Sequence, residues 1–136
     1  MIKTSFSPGK ALIIVLYICC FQSTAHGAEA YTLADAVMCE GIREYSPENI
    51  SVVFSASLKK ISCFTNFDPV TRKSPVYHRW YHKDRLATTK KLFLSPPRWA
   101  TFSSIQPRNS DKGPWRVEIT DENGAVYHIL RFSITD

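Results

Sequence analysis

Apolar residues recur at every second position along the C-terminal part of the chain. In WRVEIT, Trp115, Val117 and Ile119 fall on one side while Arg116, Glu118 and Thr120 fall on the other, the alternation of a half-buried antiparallel strand. AVYHILRFSIT repeats it with Val126, Leu130, Phe132 and Ile134. Between the two runs lies DENG, Asp121 to Gly124, whose Asn-Gly tolerates the positive φ of a hairpin turn. A three-residue loop would set Ile119 opposite Tyr127 and turn Leu130 and Phe132 away from Trp115. The pattern therefore requires an even-numbered turn or a bulge that restores the match.

The same period predicts strands at Tyr31–Cys39, Ser51–Ser57, Lys60–Phe67, Val76–His82, Leu86–Leu94, Trp99–Ile105, Pro114–Thr120 and Ala125–Thr135. Turn chemistry separates them at Ser46-Pro47, Asp68-Pro69, Lys83-Asp84, Pro96-Pro97 and Asn109 to Gly113. No long segment has a 3.6-residue period, and prolines interrupt the chain too often for one. Seven to eight short strands at this spacing predict an all-β fold: a small antiparallel β-sandwich of the immunoglobulin-like kind, with an open β-barrel as the alternative.

Residues 1–30 read differently. Lys3 and Lys10 precede the apolar run ALIIVLYICCF, and small residues follow at Ala25, Gly27, Ala28 and Ala30, the layout of a secretory signal peptide. An apolar run of eleven is well short of the ~20 residues that span a bilayer. Cleavage is expected between Ala30 and Tyr31, with a cut after Gly27 as the alternative, leaving residues 31–136 as a single domain in the periplasm or outside the cell. Neither Cys19 nor Cys20 follows the small residue that a lipoprotein signal requires.

Removing that segment leaves two cysteines, Cys39 and Cys63. In an oxidising compartment they are expected to form a disulfide, closing a 25-residue loop for roughly 3.5 kcal/mol. The net charge falls from +5 to +4 as Lys3, Lys10 and Glu29 leave together. Basic residues crowd between Arg72 and Arg98: Arg72, Lys73, Arg79, Lys83, Arg85, Lys90, Lys91 and Arg98 stand against Asp84 alone, a local +7. Such asymmetry steers an anionic partner, although cations on solvent faces and edge strands also serve solubility.

The segment PVYHRWYHKDR concentrates histidine, arginine and aromatic residues. On a strand, Val76, His78, Trp80 and His82 share one face and Tyr77, Arg79 and Tyr81 the other. Trp80 reads as a core residue, and Trp99 and Trp115 are expected to join it. Two strand histidines four apart are about 13 Å from each other, too far to chelate one metal ion. Neither a positioned nucleophile, a paired-carboxylate arrangement nor a phosphate-cradling glycine loop is present. The sequon Asn49-Ile50-Ser51 has meaning only in a eukaryotic secretory pathway.

Four motifs, FTNF at Phe64–Phe67, VYHRWYHKDR at Val76–Arg85, RWATFSS at Arg98–Ser104 and GPWRVEITDENGAVY at Gly113–Tyr127, together resemble the bacterial domain-of-unknown-function family 2914. The resemblance runs through nearly all of residues 31–136 and implies a small cell-envelope domain with no established activity, so no site residue is carried over from it. Ala100 departs from the pattern, in which a basic residue follows the tryptophan. The expected function is that of a non-enzymatic interaction module without metal or cofactor. Its basic, aromatic face, Tyr77, Arg79, Tyr81, Lys91 and Arg98, is expected to meet an anionic glycan, a lipid headgroup or an acidic envelope protein. Nucleic acid is not an expected partner, since no module for it is present. The alternative is an envelope hydrolase using His78 or His82 as acid or base, which requires one of them in a concave pocket with a carboxylate in reach.

Overall fold

A computed structural model describes residues 29–136 of the chain. The signal-peptide reading falls, apart from Glu29 and Ala30, outside the described residues. Nine strands run in order: β1 (Tyr31–Arg43), β2 (Ser46–Ile50), β3 (Val53–Ser55), β4 (Ile61–Val70), β5 (Ser74–His82), β6 (Arg85–Leu94), β7 (Trp99–Ile105), β8 (Gly113–Thr120) and β9 (Val126–Thr135). They form a four-stranded sheet, β2-β1-β4-β7, and a five-stranded sheet, β3-β9-β8-β5-β6. Pairing is antiparallel except between β3 and β9. The chain crosses between sheets at β2–β3, β3–β4, β4–β5, β6–β7 and β7–β8 and makes hairpins at β1–β2 within the first sheet and at β5–β6 and β8–β9 within the second. This is the Greek-key connectivity of an immunoglobulin-like sandwich; two separate sheets replace the open-barrel alternative.

The β8–β9 hairpin resolves its parity problem with a bulge. Trp115 pairs with Phe132 and Val117 with Leu130, and the register shifts by one between Ile119 and Thr120. All five apolar side chains thereby reach the core together.

The strand count exceeds expectation because Ser46-Pro47 is no turn. The turn lies one step earlier, at Glu44 and Tyr45, with φ of 49° and 58°, and Arg43 pairs directly with Ser46. Two successive left-handed residues in a two-residue loop suit the twist of a hairpin; Lys83 and Asp84, at 48° and 63°, repeat the device between β5 and β6. The expected Ser51–Ser57 strand shrinks to the three residues of β3.

Two apolar clusters fill the sandwich. One gathers Met38, Phe54, Ile61, Cys63, Trp80, Trp115, Val117, Phe132 and Ile134, with Trp80 and Trp115 each 6.0 Å from Phe132. The other gathers Tyr31, Phe67, Val70, Val76, Leu94 and Ile119. Trp99 is a correction: it is 42% exposed at the start of β7 rather than in the core.

The disulfide is a second correction. Cys39 and Cys63 are buried free thiols. Met38 pairs with Cys63, and Cys39 with Ser62; because strand side chains alternate, the two cysteines point to opposite faces of their sheet, an orientation no disulfide bridges. Burial pushes both thiols above their ordinary pKa.

Candidate functional site

Strand alternation sorts the histidine- and arginine-rich segment into two environments. Val76, His78 and Trp80 are fully buried. His78 joins β5 to the opposite sheet: its Nε2 lies 3.2 Å from Thr65 Oγ1 and its Nδ1 2.7 Å from Ser103 Oγ. Two fixed ends assign the protons. The Trp80 indole N–H can only donate, and it does so to Ser103 Oγ at 3.1 Å. The Thr101 carbonyl can only accept, from Thr65 Oγ1 at 3.4 Å. The Ser103 hydroxyl therefore donates to Nδ1, and Nε2–H donates to Thr65. His78 is a neutral imidazole in a directed chain, and burial lowers its pKa from 6.5 to about 4. Among the described residues no carboxylate takes part in this series of hydrogen bonds.

His82, four residues beyond His78, reaches the rim. Its ring stacks on Trp115 at 4.6 Å, and Nε2 lies 3.0 Å from the Lys112 carbonyl, which fixes the proton on that nitrogen. It lines an open cleft with Asp111. That carboxylate is already committed: it accepts from the Arg108 backbone at 2.9 Å and from the Arg108 guanidinium at 3.1 and 3.2 Å. Burial works to raise the Asp111 pKa, but the Arg108 bonds outweigh it and hold the carboxyl below its usual range.

The other face of β5 looks outward. Tyr77, Arg79 and Tyr81 alternate there, with Tyr77 opposite Lys91 on β6 and Tyr81 opposite Arg116 on β8. Cations and rings interleave across the sheet. Lys91 Nζ lies 5.3 Å from the Phe93 ring and 5.8 Å from that of Tyr77; the Arg79 guanidinium lies 5.9 Å from Tyr77; the Arg116 guanidinium lies 4.1 Å from Tyr81, all within cation–π range. Arg131 on β9 pairs with Arg116 and extends the row. Glu118 and Asp84 engage Arg116, whereas Arg79, Lys91 and Arg131 have no acidic partner among the described residues.

Four of the five expected site residues, Tyr77, Arg79, Tyr81 and Lys91, thus share one surface. Arg98 does not join them. It precedes β7, which belongs to the other sheet, and there it lines a hollow with Tyr45, Asn66, Asp68, Trp99 and Ala100. The remaining cations of the +7 segment scatter: Arg72 and Lys73 sit at one end of the sandwich beside Asp121 and Glu122, Lys83 lies in the β5–β6 turn beside Gly113, and Arg85 and Lys90 face the His82 cleft. The expected site omitted Arg116 and Arg131, although alternation in WRVEIT already turned Arg116 outward.

Among the described residues no group of three or more His, Cys, Asp or Glu side chains converges as a metal site, and no helix is long and apolar enough to cross a membrane. Residues 73–134 match the model of a family described as "Protein of unknown function (DUF2914)", the family that the tryptophan motifs resemble; the matched stretch runs through β5 to β9. No curated protein matches the chain. Among solved structures, the chain is similar to the CARDB domain of the PF1109 protein from Pyrococcus furiosus, described in complex with di-metal ions. The identity is 14%, 79% of this chain and 93% of that chain are covered, and the TM-score is 0.42.

Proposed function

We propose that the chain is a secreted or periplasmic interaction module without catalytic activity, which holds an acidic glycan against the outer face of the five-stranded sheet. The observation that carries this reading is the cation–ring row from Phe93 and Lys91 through Tyr77 and Arg79 to Tyr81, Arg116 and Arg131. Rings on a flat sheet give a sugar ring a stacking surface, and interleaved cations pair with its carboxylates. Cations of separate strands, about 4.8 Å apart from neighbour to neighbour, suit an extended polyanion better than a compact ligand. A hydrolase using His78 or His82 has less support, since His78 is sealed from solvent and the carboxylate beside His82 is bound to Arg108.

The test is retention of the protein on immobilised polygalacturonate against a neutral polysaccharide. Retention on the acidic matrix alone, lost at high salt and lost in the Arg79→Glu/Lys91→Glu double variant, is the expected result. Equal retention of that variant would overturn the proposal, as would binding only to anionic vesicles or to an acidic protein, each of which would name a different partner.

A further inference from the structure

The His82 cleft is a second, separate place where the fold gathers positive charge. On β6, residues 88, 90, 92 and 94 share one face by alternation, and it is the inward one: Lys90 pairs with His78 and Thr88 with Trp80. Leu92 and Leu94 pack into the core. Lys90 and Thr88 continue that face where the opposite sheet, ending at β7, no longer covers it. An inward strand position that carries lysine beside an open space is the anomaly. His82 pairs with Arg85, so Arg85 is delivered to the same side.

The space is a cleft of about 550 Å³ between the β6 and β7 edges of the two sheets, within the range of small-ligand sites. Arg85, Thr88 and Lys90 form one wall, Ser104 and Gln106 the other, and Arg108 and Asp111 close one end. Several groups there are already held in place. The Arg108 fork is fixed on Asp111 through Nε and Nη2, which leaves Nη1 unused. The His82 ring is fixed between the Trp115 face and the Lys112 carbonyl, which leaves Nδ1 unused. Arg85 and Lys90 have no acidic partner among the described residues. Three cations against one engaged carboxylate give the cleft a net charge of +2.

We propose that this cleft is a binding site for a compact oxyanion on a ligand of about one sugar unit, a phosphate or carboxylate that Arg85, Lys90 and Arg108 share. Thr88 and Gln106 side chains on the walls complement neutral hydroxyl groups on such a ligand, while the Ser104 hydroxyl is held by Ser62 Oγ at 2.7 Å. The site is distinct from the outer face: Lys90 and Lys91 are neighbours in sequence and point to opposite sides of the sheet.

The experiment follows backbone amide shifts of the protein during titration with glucose 6-phosphate, glucuronate, glucose and inorganic phosphate. Saturating shifts at His82, Lys90, Ser104 and Arg108 with the charged sugars, absent with glucose, are expected; the stronger of the phosphate and carboxylate arms identifies the oxyanion. Arg85→Glu and Lys90→Glu should each weaken binding at least tenfold, and Arg79→Glu on the outer face should leave it unchanged. Shifts that fail to saturate, or that survive Lys90→Glu, would overturn the proposal and reduce Lys90 to an inward charge that keeps the β6 edge from pairing. Retention on polygalacturonate is read separately, so either site can fail without the other.

Discussion

His78 should make the stability of the sandwich fall steeply in mild acid. In the native state the ring is neutral, with Nδ1 accepting from Ser103 and Nε2–H donating to Thr65. Protonating Nδ1 would set two donors against each other in a site with no solvent. Folding lowers the pKa from 6.5 to about 4, so between those values the unfolded chain binds a proton that the native state refuses. The sign follows: stability is unaffected by this group above 6.5, declines as pH falls towards 4, and levels off below. At about 1.4 kcal/mol per pH unit the gap corresponds to roughly 3 kcal/mol, a large share of a small domain's total. The assay is urea unfolding at steps from about pH 7 to about pH 4, comparing the protein with His78→Gln, which keeps one acceptor and one donor but does not titrate. Every other ionisable group is common to both proteins, so the difference between the two curves isolates His78. The variant should start less stable and lose roughly 3 kcal/mol less over that range. Parallel curves would refute the buried, neutral imidazole.

Cys39 and Cys63 should each alkylate as free thiols once the protein is unfolded without reductant; a peptide pair joined through them would contradict the register that sends them to opposite faces. Trp80→Ala should destabilise by about 3–5 kcal/mol, measured by urea unfolding, whereas Trp99→Ala, at a residue 42% exposed, should cost under about 1 kcal/mol; equal costs would contradict the placement of Trp99. Gly113→Ala should lower the melting temperature, because φ is +117° and the added Cβ would lie 3.0 Å from Lys83 Cε; an unchanged melting temperature would show that the turn relaxes freely.

Strand periodicity was legible wherever one face meets the core. WRVEIT and VYHRWYH show their burial in their alternation, and the parity of the DENG turn required an even-numbered turn or a bulge, of which β8–β9 carries the bulge. The β1–β2 hairpin was not legible, because Glu44-Tyr45 carries none of the Asn-Gly chemistry that announces two left-handed residues. The cysteine pairing failed for a related reason: spacing says nothing about facing, and only the β1–β4 register decides it. The outer face was partly legible. Tyr77, Arg79 and Tyr81 follow from one strand's alternation, but placing Lys91 and Arg116 beside them, and Arg98 on the other sheet, requires knowing which strands are neighbours. The His78 chain left a weaker sign, in that Thr65, His78 and Ser103 are polar residues at core-facing positions of three strands, and buried polar groups find partners.

Amide-shift mapping of a polygalacturonate oligomer on the protein locates the glycan-binding face directly. Shifts are expected along the outward residues of β5, β6, β8 and β9, centred on Tyr77, Arg79, Lys91 and Arg116, fading as salt is raised. Shifts confined to Trp99 and Arg98 on the opposite sheet, or none at all, would contradict that placement.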